Sequence, residues 1–482
     1  MVGRIAGWLT YERLVCLFAA GIPWMPFVNV GSAPVNTAYL VCMALWGLLV
    51  LRRRASLFVP LTPGLVMGGV VFAWISAGAL AAGALKGALV DLLHLGNFLL
   101  GYALIVTAVR TREMVGRVLK AMLLSSFGVA GFGVGLSLLV NILDMQFLPR
   151  FMVDVIGSLL YGARGQEMLM GYGWDMGNWY RDGLFRTVSV FFNPMQNSEY
   201  TMFFLFLTVS QLLVGSTLLP RKVLWSGTIL LALQLFVSFS RTAYFGAVAG
   251  GAGFFVLLMV LGVVPRRQVL RMVLVGGLVV LLFTPLAGAY VYKTVLSIGD
   301  LKQFSNAGRL VAMTAGVLVW MHHPWFGTGW GNERAMAFGN LDLSQPNFLE
   351  GLVLPHIRDA LLYAKAVVFG ELFEQTNYHC GHLQLLAQLG LIGSLVFWAW
   401  HLVWVRRAWQ LAISGGEPML VALGLGFVGA WGTFFVTNAI DDNFLYPKYG
   451  LNILLVAALC EVAWRVRTDS LPSPLCPNRS QR

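Results

Sequence analysis

Residues 221–271, RKVLWSGTILLALQLFVSFSRTAYFGAVAGGAGFFVLLMVLGVVPRRQVLR, decide how this chain is built. Arg221-Lys222 stand at one end, and Arg266-Arg267 with Arg271 at the other. Between them lie two apolar runs, near 223–239 and 243–263, separated by the short stretch Ser238-Phe239-Ser240-Arg241-Thr242. Each run approaches the ~18 residues that carry a helix across a hydrocarbon core. In lipid the backbone must satisfy its own hydrogen bonds, which leaves helices or closed barrels. Continuous apolar runs, without period-two alternation, select helices. The stretch therefore predicts two antiparallel spanning helices. Their basic ends share the cytoplasmic side, and the tip bearing Arg241 lies outside.

The same pattern runs the length of the chain. Apolar runs fall near 11–30, 35–51, 62–83, 87–108, 118–142, 187–214, 223–239, 243–263, 272–293, 383–404, 417–438 and 447–464. Alternate loops carry Arg52-Arg53-Arg54, Arg110/Arg112/Arg117/Lys120, Arg221-Lys222, Arg266-Arg267/Arg271, Arg406-Arg407 and Arg465/Arg467. In a model of about twelve spans all these loops share one face, so the positive-inside register holds throughout. The first run reads as a retained span and not a cleaved leader, because further runs follow it. Both termini are expected in the cytoplasm, with 468–482 a disordered tail. The expected fold class is an all-α polytopic membrane protein with a large outer loop containing short interfacial helices.

Composition agrees. Of 482 residues, 58% are hydrophobic and 11% charged, against about 25% charged in soluble domains. The formal charge of +12 does not indicate nucleic acid, because the basic residues are dispersed in short clusters between apolar runs. Cys16, Cys42 and Cys460 fall within apolar runs, Cys380 is alone in a loop, and Cys476 lies in the tail. With no CxxC or zinc-type spacing, neither a structural disulfide nor a metal centre is expected.

Two long segments, 143–186 and 294–382, face outward in this scheme. The second is too long for an idle connector. Within it, Arg309–Met321 reads as a short apolar helix after Asn306-Ala307-Gly308. His322-His323-Pro324 and the glycine-rich Gly327-Thr328-Gly329-Trp330-Gly331 follow it. A second helix is expected from Pro355 to about Glu374, lying at the interface. The chain divides into N-terminal membrane helices with the first outer segment (1–186), a catalytic membrane core with the loop 294–382 (187–404), C-terminal membrane helices (405–467) and the tail (468–482).

The outward charges carry the chemistry. Arg241 sits at membrane depth, where arginine is expensive and usually functional; a snorkelling arginine touching headgroups is the alternative. Arg309, read at the first turn of its helix, opposes the helix dipole, so an anion is expected to hold it there. Pairing with Asp300 or a headgroup is its alternative. His379, in Asn377-Tyr378-His379-Cys380-Gly381-His382, is the side chain suited to take a proton near neutral pH, with His382 as rival base. Guanidinium groups bind phosphate oxygens bidentately, and two of them beside a base suit a diphosphate leaving group. Arg186 is a candidate third phosphate contact. Glu199, an intramembrane acid, is either a site residue or a partner for Arg186. Asp91 and His94 read as a mutual pair. Asp442, with Asp441, is a candidate acceptor contact or a solvated pair. Trp174, Trp179 and Tyr180 either stack on sugar rings or form an interfacial aromatic belt.

Several of these elements together resemble the O-antigen ligase and Wzy-type polymerase superfamily. They are Phe192-Asn193-Pro194-Met195-Gln196-Asn197, Ser240-Arg241, Gly308-Arg309, Pro324-Trp325-Phe326-Gly327-Thr328-Gly329, and His379 followed by Leu383-Gln384 and Gly390-Leu391-Ile392-Gly393. The similarity covers about 186–404. It implies a bacterial inner-membrane enzyme with its site facing the periplasm. Such an enzyme moves a glycan from an undecaprenyl-diphosphate donor to an acceptor hydroxyl, with inversion and without a metal or other cofactor. Arg241 and Arg309 would bind the diphosphate and His379 would act as base. Apart from the resemblance, Asn193 and His382 are further candidate donor or acceptor contacts, with Glu199 and Asp442. The family often has asparagine after that histidine; here Cys380 stands there. Implied partners are the lipid-linked donor, a glycan or lipid A–core acceptor, membrane lipids and, as a candidate, a chain-length regulator protein. A flippase or transporter of lipid-linked glycans is the rival from another class. Transporters tend to show inverted repeats, and none is legible here. A structural subunit of an export complex is a third reading.

Overall fold

The computed structural model describes residues 10–30, 33–53, 59–158, 179–181, 184–262, 264–274, 277–278, 281, 304–332, 378–441 and 447–469. Its helices are α1 (Tyr11–Gly21), α2 (Thr37–Arg53), α3 (Pro63–Ala81), α4 (Leu85–Ala108), α5 (Arg112–Asn141), α6 (Phe147–Phe151) and α7 (Pro194–Val214). They continue with α8 (Arg221–Phe236), α9 (Arg241–Leu261), α10 (Phe304–His322), α11 (Gly381–Ala412), α12 (Pro418–Thr437) and α13 (Pro447–Asp469). Among the described residues, strand is confined to two short antiparallel hairpins, Phe27–Val30 with Ala33–Asn36 and Tyr180–Arg181 with Leu184–Phe185. The fold is an all-α polytopic membrane protein. Seven described helices are long and apolar enough to cross a membrane: α3, α4, α5, α9, α11, α12 and Lys448–Arg467 of α13. Most of the expected run 272–293 and the expected helix at 355–374 lie outside the described residues.

Local chemistry sets where helices begin. Thr10, Thr62, Thr111, Asn193 and Ser240 cap α1, α3, α5, α7 and α9 through side-chain oxygens that accept backbone N–H groups. Proline at the first turn of α3, α7 and α12 adds a preset φ where no donor is needed. The run expected over 11–30 ends as a helix at Gly21, because Ile22-Pro23-Trp24 tightens into a 3₁₀ turn before the first hairpin.

Packing centres on α12. Small residues let membrane helices approach closely, since lipid offers no hydrophobic contrast to drive them together. Gly424 lies against the backbone of α11 at Ala408, Gly426 against Leu207 Cα of α7, and Gly429 against Phe254 of α9. From α9, Gly246 meets Thr437 and Gly250 meets Thr433. α9 and α12 are therefore antiparallel, with the start of α9 level with the end of α12. At the opposite end the basic loops are tied to acids. Arg112 pairs with Glu417, Arg117 with Glu12 and Glu113, and Arg407 with Glu461.

α11 is broken at Gly390, whose φ of 66° and ψ of −174° interrupt the helix. The Pro324–Gly329 segment repairs the break. Thr328 and Gly329 N–H donate to the carbonyls of Ala387 and Gln388, at 2.9 and 3.1 Å. Leu391 and Ile392 N–H donate to Pro324 and Trp325 carbonyls, at 2.8 and 3.2 Å. A side chain at Gly390 would strike the Trp325 carbonyl, and one at Gly327 would strike Gln388. Trp330 continues inward to donate to Asp91 at 2.8 Å. Asp91 thus serves Trp330, and the expected Asp91–His94 pair is replaced by this contact. The motif Pro324–Gly331 is a buckle joining α4, α10 and α11.

Gly390→Ala is expected to lower the thermal unfolding midpoint in detergent, with roughly 1–3 kcal/mol lost to backbone strain alone. Gly251→Ala, where an added Cβ meets nothing, should leave the midpoint unchanged or slightly higher.

Candidate functional site

His379 stands at the entry to α11 with φ at 49°, and Cys380 occupies the N-cap position without capping through its side chain. Compensation comes from across the bundle. Gly381 N–H donates to the carbonyls of both Asn438 and Asp441, each at 2.8 Å, which ties the start of α11 to the end of α12. Tyr378 N–H donates to Gln384 Oε1 at 3.2 Å, and the buried Tyr378 ring covers Gly316 of α10.

That contact orients α10. Arg309 lies about two turns before Gly316 and so on the same face, toward Tyr378 and His379. The electrostatics agree: burial, reinforced by the Arg309 charge, pushes the His379 imidazole down to about 4. α10 begins at Phe304 and not at Arg309. Arg309 therefore sits in the second turn, where the dipole argument weakens, and the histidine beside it becomes its significant neighbour.

Arg241 opens α9 on the Ser240 cap. Because α9 and α12 are antiparallel in the register given above, Arg241 lies at the Asn438–Asp441 end of the bundle, where His379 enters. Arg186 joins it: Arg186 Nε donates to the Ser238 carbonyl at 3.3 Å, and Thr187 N–H donates to the Val237 carbonyl at 3.1 Å. Arg186, Arg241, Arg309 and His379 are all half-buried. The three elements expected to converge, at Arg241, Arg309 and His379, are gathered at one end of the bundle.

Backbone strain concentrates there. Among the described residues five non-glycine residues have positive φ, and four of them border this site: Ser189 (45°), Phe192 (55°), Phe239 (46°) and His379 (49°). Such conformations cost of order 1–3 kcal/mol each and persist where the surroundings over-determine them, most often at functional sites.

Other candidates sort differently. Asn193 Oδ1 accepts from Met195 and Gln196 N–H, at 2.8 and 3.3 Å, so its side chain caps α7. His382 Nε2 lies 3.0 Å from the Phe435 carbonyl, between Trp398 and Phe435. Glu199 is buried on α7. Asp441 is buried, and Asp442 lies outside the described residues. Trp179 packs inside a core with Phe185 and Phe192, Tyr180 donates to Gln146, and Trp174 falls outside the described residues. His322 closes α10, with His323 just beyond it; both are exposed. Sequence reasoning missed Lys448, buried near the start of α13. Its signal was legible: an ionisable residue within a spanning run is a site candidate by default. Among the described residues no three His, Cys, Asp or Glu side chains gather as a metal site.

Residues 226–398 match the family model Wzy_C, described as O-antigen ligase. The matched stretch runs from α8 into α11 and contains Arg241, Arg309 and His379; Arg186, Asn193 and Glu199 precede it. No curated protein matches the chain. The match supports glycan transfer of the O-antigen ligase or polymerase type and substrates that are lipid-linked glycans and polysaccharides.

Asn193→Ala is expected to lower the unfolding midpoint by about 1 kcal/mol equivalent, while Asn193→Asp, which keeps the cap, should retain it. A pure glycan contact would instead leave both midpoints unmoved and raise KM.

Proposed function

We propose that this chain, whose residues 226–398 match the O-antigen ligase family model, is a metal-independent, inverting glycosyltransferase of the bacterial inner membrane. It transfers a glycan from undecaprenyl diphosphate to an acceptor hydroxyl on the periplasmic side. The observation that carries the proposal is the packing of the Gly316 face of α10, the face that bears Arg309, against Tyr378 beside His379 at the strained entry of α11, at the end of the bundle where Arg241 begins α9.

The chemistry follows from charge. Breaking the bond between the anomeric carbon and the diphosphate leaves negative charge on phosphate oxygens. Arg241, Arg309 and Arg186 supply fixed positive charge where it develops. In the resting site the imidazole is neutral but a weak base, because burial and the Arg309 guanidinium both oppose its protonation. A diphosphate bound at Arg309 offsets that positive field and raises the basicity of His379 as the donor arrives. The imidazole then removes the acceptor proton while the hydroxyl oxygen attacks the anomeric carbon from the face opposite the diphosphate. A single base, without a carboxylate nucleophile, favours one displacement and hence inversion. Glu199 and the Asp441–Asp442 pair remain candidates for holding donor or acceptor. The length of the extra segment 143–186 suits an extended glycan, which favours polymerisation of a surface polysaccharide over ligation to lipid A–core. A chain-length regulator protein would fit the same reading.

In proteoliposomes with purified lipid-linked glycan and separate glycan or lipid A–core acceptors, His379→Ala is expected to reduce transfer by about 10²–10⁴-fold. Intact donor should remain at the outer leaflet. Donor trapped at the inner leaflet would instead support a flippase. Activity should survive chelator, and strict metal dependence would sink the mechanism.

The pH profile supplies a second check. With His379 pushed down to about 4, kcat/KM, which reports the free enzyme, should fall only as pH drops through about 4. The acid limb of kcat should lie higher, because bound diphosphate offsets Arg309. Arg309→Gln removes a charge that lowers the imidazole pKa, so it should move the kcat/KM limb upward toward the ordinary histidine value of about 6.5. An unmoved limb would separate Arg309 from the base.

A further inference from the structure

Lys448, the second residue of α13, is only 2% exposed. A buried ammonium is costly unless hydrogen-bonded or paired, so its contacts indicate what it is kept for. Its Nζ donates to the Val190 carbonyl at 3.0 Å and stands 5.9 Å from the centre of the Phe191 ring. Both residues belong to the 3₁₀ turn Ser189–Phe191, whose first residue, Ser189, and following residue, Phe192, both have positive φ.

The same turn is held from its other sides by buried polar contacts. Thr187 Oγ1 donates to the Gly133 carbonyl at 2.9 Å, and Ser189 Oγ to the Val129 carbonyl at 2.8 Å. Asn197 Nδ2 donates to the Thr187 carbonyl at 3.2 Å, and Gln234 Nε2 donates to Asn197 Oδ1. One residue before Thr187 is Arg186, whose guanidinium reaches the Ser238 carbonyl beside the Ser240–Arg241 junction. The turn thus sits between the lysine on α13 and the arginine on the site's edge. A strained turn of this kind keeps its shape only while its surroundings dictate it.

We propose that Lys448 is a positioning residue for donor binding. By holding the Ser189–Phe192 turn through the Val190 carbonyl, it sets Arg186 against the start of α9 beside Arg241. The proposal rests on the reading of Arg186 as a diphosphate contact. Lys448 touches no substrate in this scheme, and its effect passes through the turn. Displacements near 1 Å in groups that hold a substrate can cost about 100-fold in rate, so a slackened turn should be visible in kinetics while the fold survives.

The test is a double-mutant cycle in the reconstituted full-length protein with lipid-linked donor. Lys448→Met removes the donated hydrogen bond at similar volume and should raise donor KM by about tenfold or more, with kcat changed less. Lys448→Gln keeps an N–H donor on a side chain of similar reach and should recover most of the loss. In an Arg186→Ala background Lys448→Met should add little, because the group it positions is gone. Full additivity, or equal loss in the methionine and glutamine variants, would overturn the proposal and leave Lys448 as a packing residue. Should Lys448→Met fail to insert or fold, the glutamine variant alone decides: a donor KM raised tenfold in folded protein overturns it, and a near-normal KM supports it. An inert Arg186→Ala beside a dead His379→Ala would sink this inference and spare the transferase. An active His379→Ala would sink the transferase reading itself.

Discussion

A helix in a membrane that stops at a glycine leaves donors and acceptors with no water to satisfy them. At Gly390 of α11 that demand is met by one segment, Pro324–Gly329, which answers two carbonyls and two amides of the broken helix. The constraint fixes more than the break. The segment is the continuation of α10, and Trp330 just beyond it bonds to Asp91 of α4. α10, which carries Arg309, and α11, which is entered at His379, are therefore held in one arrangement by backbone hydrogen bonds and not by side-chain packing alone.

The second layer of control is the glycine face of α12. Gly424, Gly426 and Gly429 let α11, α7 and α9 approach closely enough to share one helix as neighbour. At the end of that helix Asn438 and Asp441 carbonyls receive Gly381 N–H, and α9 begins at the same level. The proposed site thus forms at the one place where three independent chain entries, at Arg186, Arg241 and His379, meet the end of a common scaffold helix. Strained φ values at Ser189, Phe239 and His379 mark those entries. Scaffolds in which tight packing over-determines a few strained residues are the arrangement that pre-organised charge stabilisation requires.

Much of this was legible in the residues. Apolar runs and basic loops gave helices and their common basic end, and the ion pairs Arg117–Glu12 and Arg407–Glu461 are consistent with that grouping. Arg241, Arg309 and His379 could be singled out because an arginine at membrane depth and a histidine at a loop's return are unusual in such a chain. Less legible were contacts between distant segments. Asp91 looked like a partner for His94, three residues on, because spacing reports only neighbours on one helix; its partner, Trp330, is far away in sequence. Trp179, read as either an interfacial belt residue or a sugar platform, is core. Lys448 went unremarked beside the proline that opens its helix.

The sequence by itself determined the class of molecule and the residue types available for chemistry, because hydropathy and charge act on each segment separately against lipid and water. Tertiary structure alone decided which charges meet. Whether Arg309 acts on His379, whether Asn193 caps a helix or faces the site, and what Lys448 holds all depend on helix registers. Those registers are set by glycine contacts and backbone hydrogen bonds between segments far apart in the chain, and such contacts leave no periodic trace in any single run.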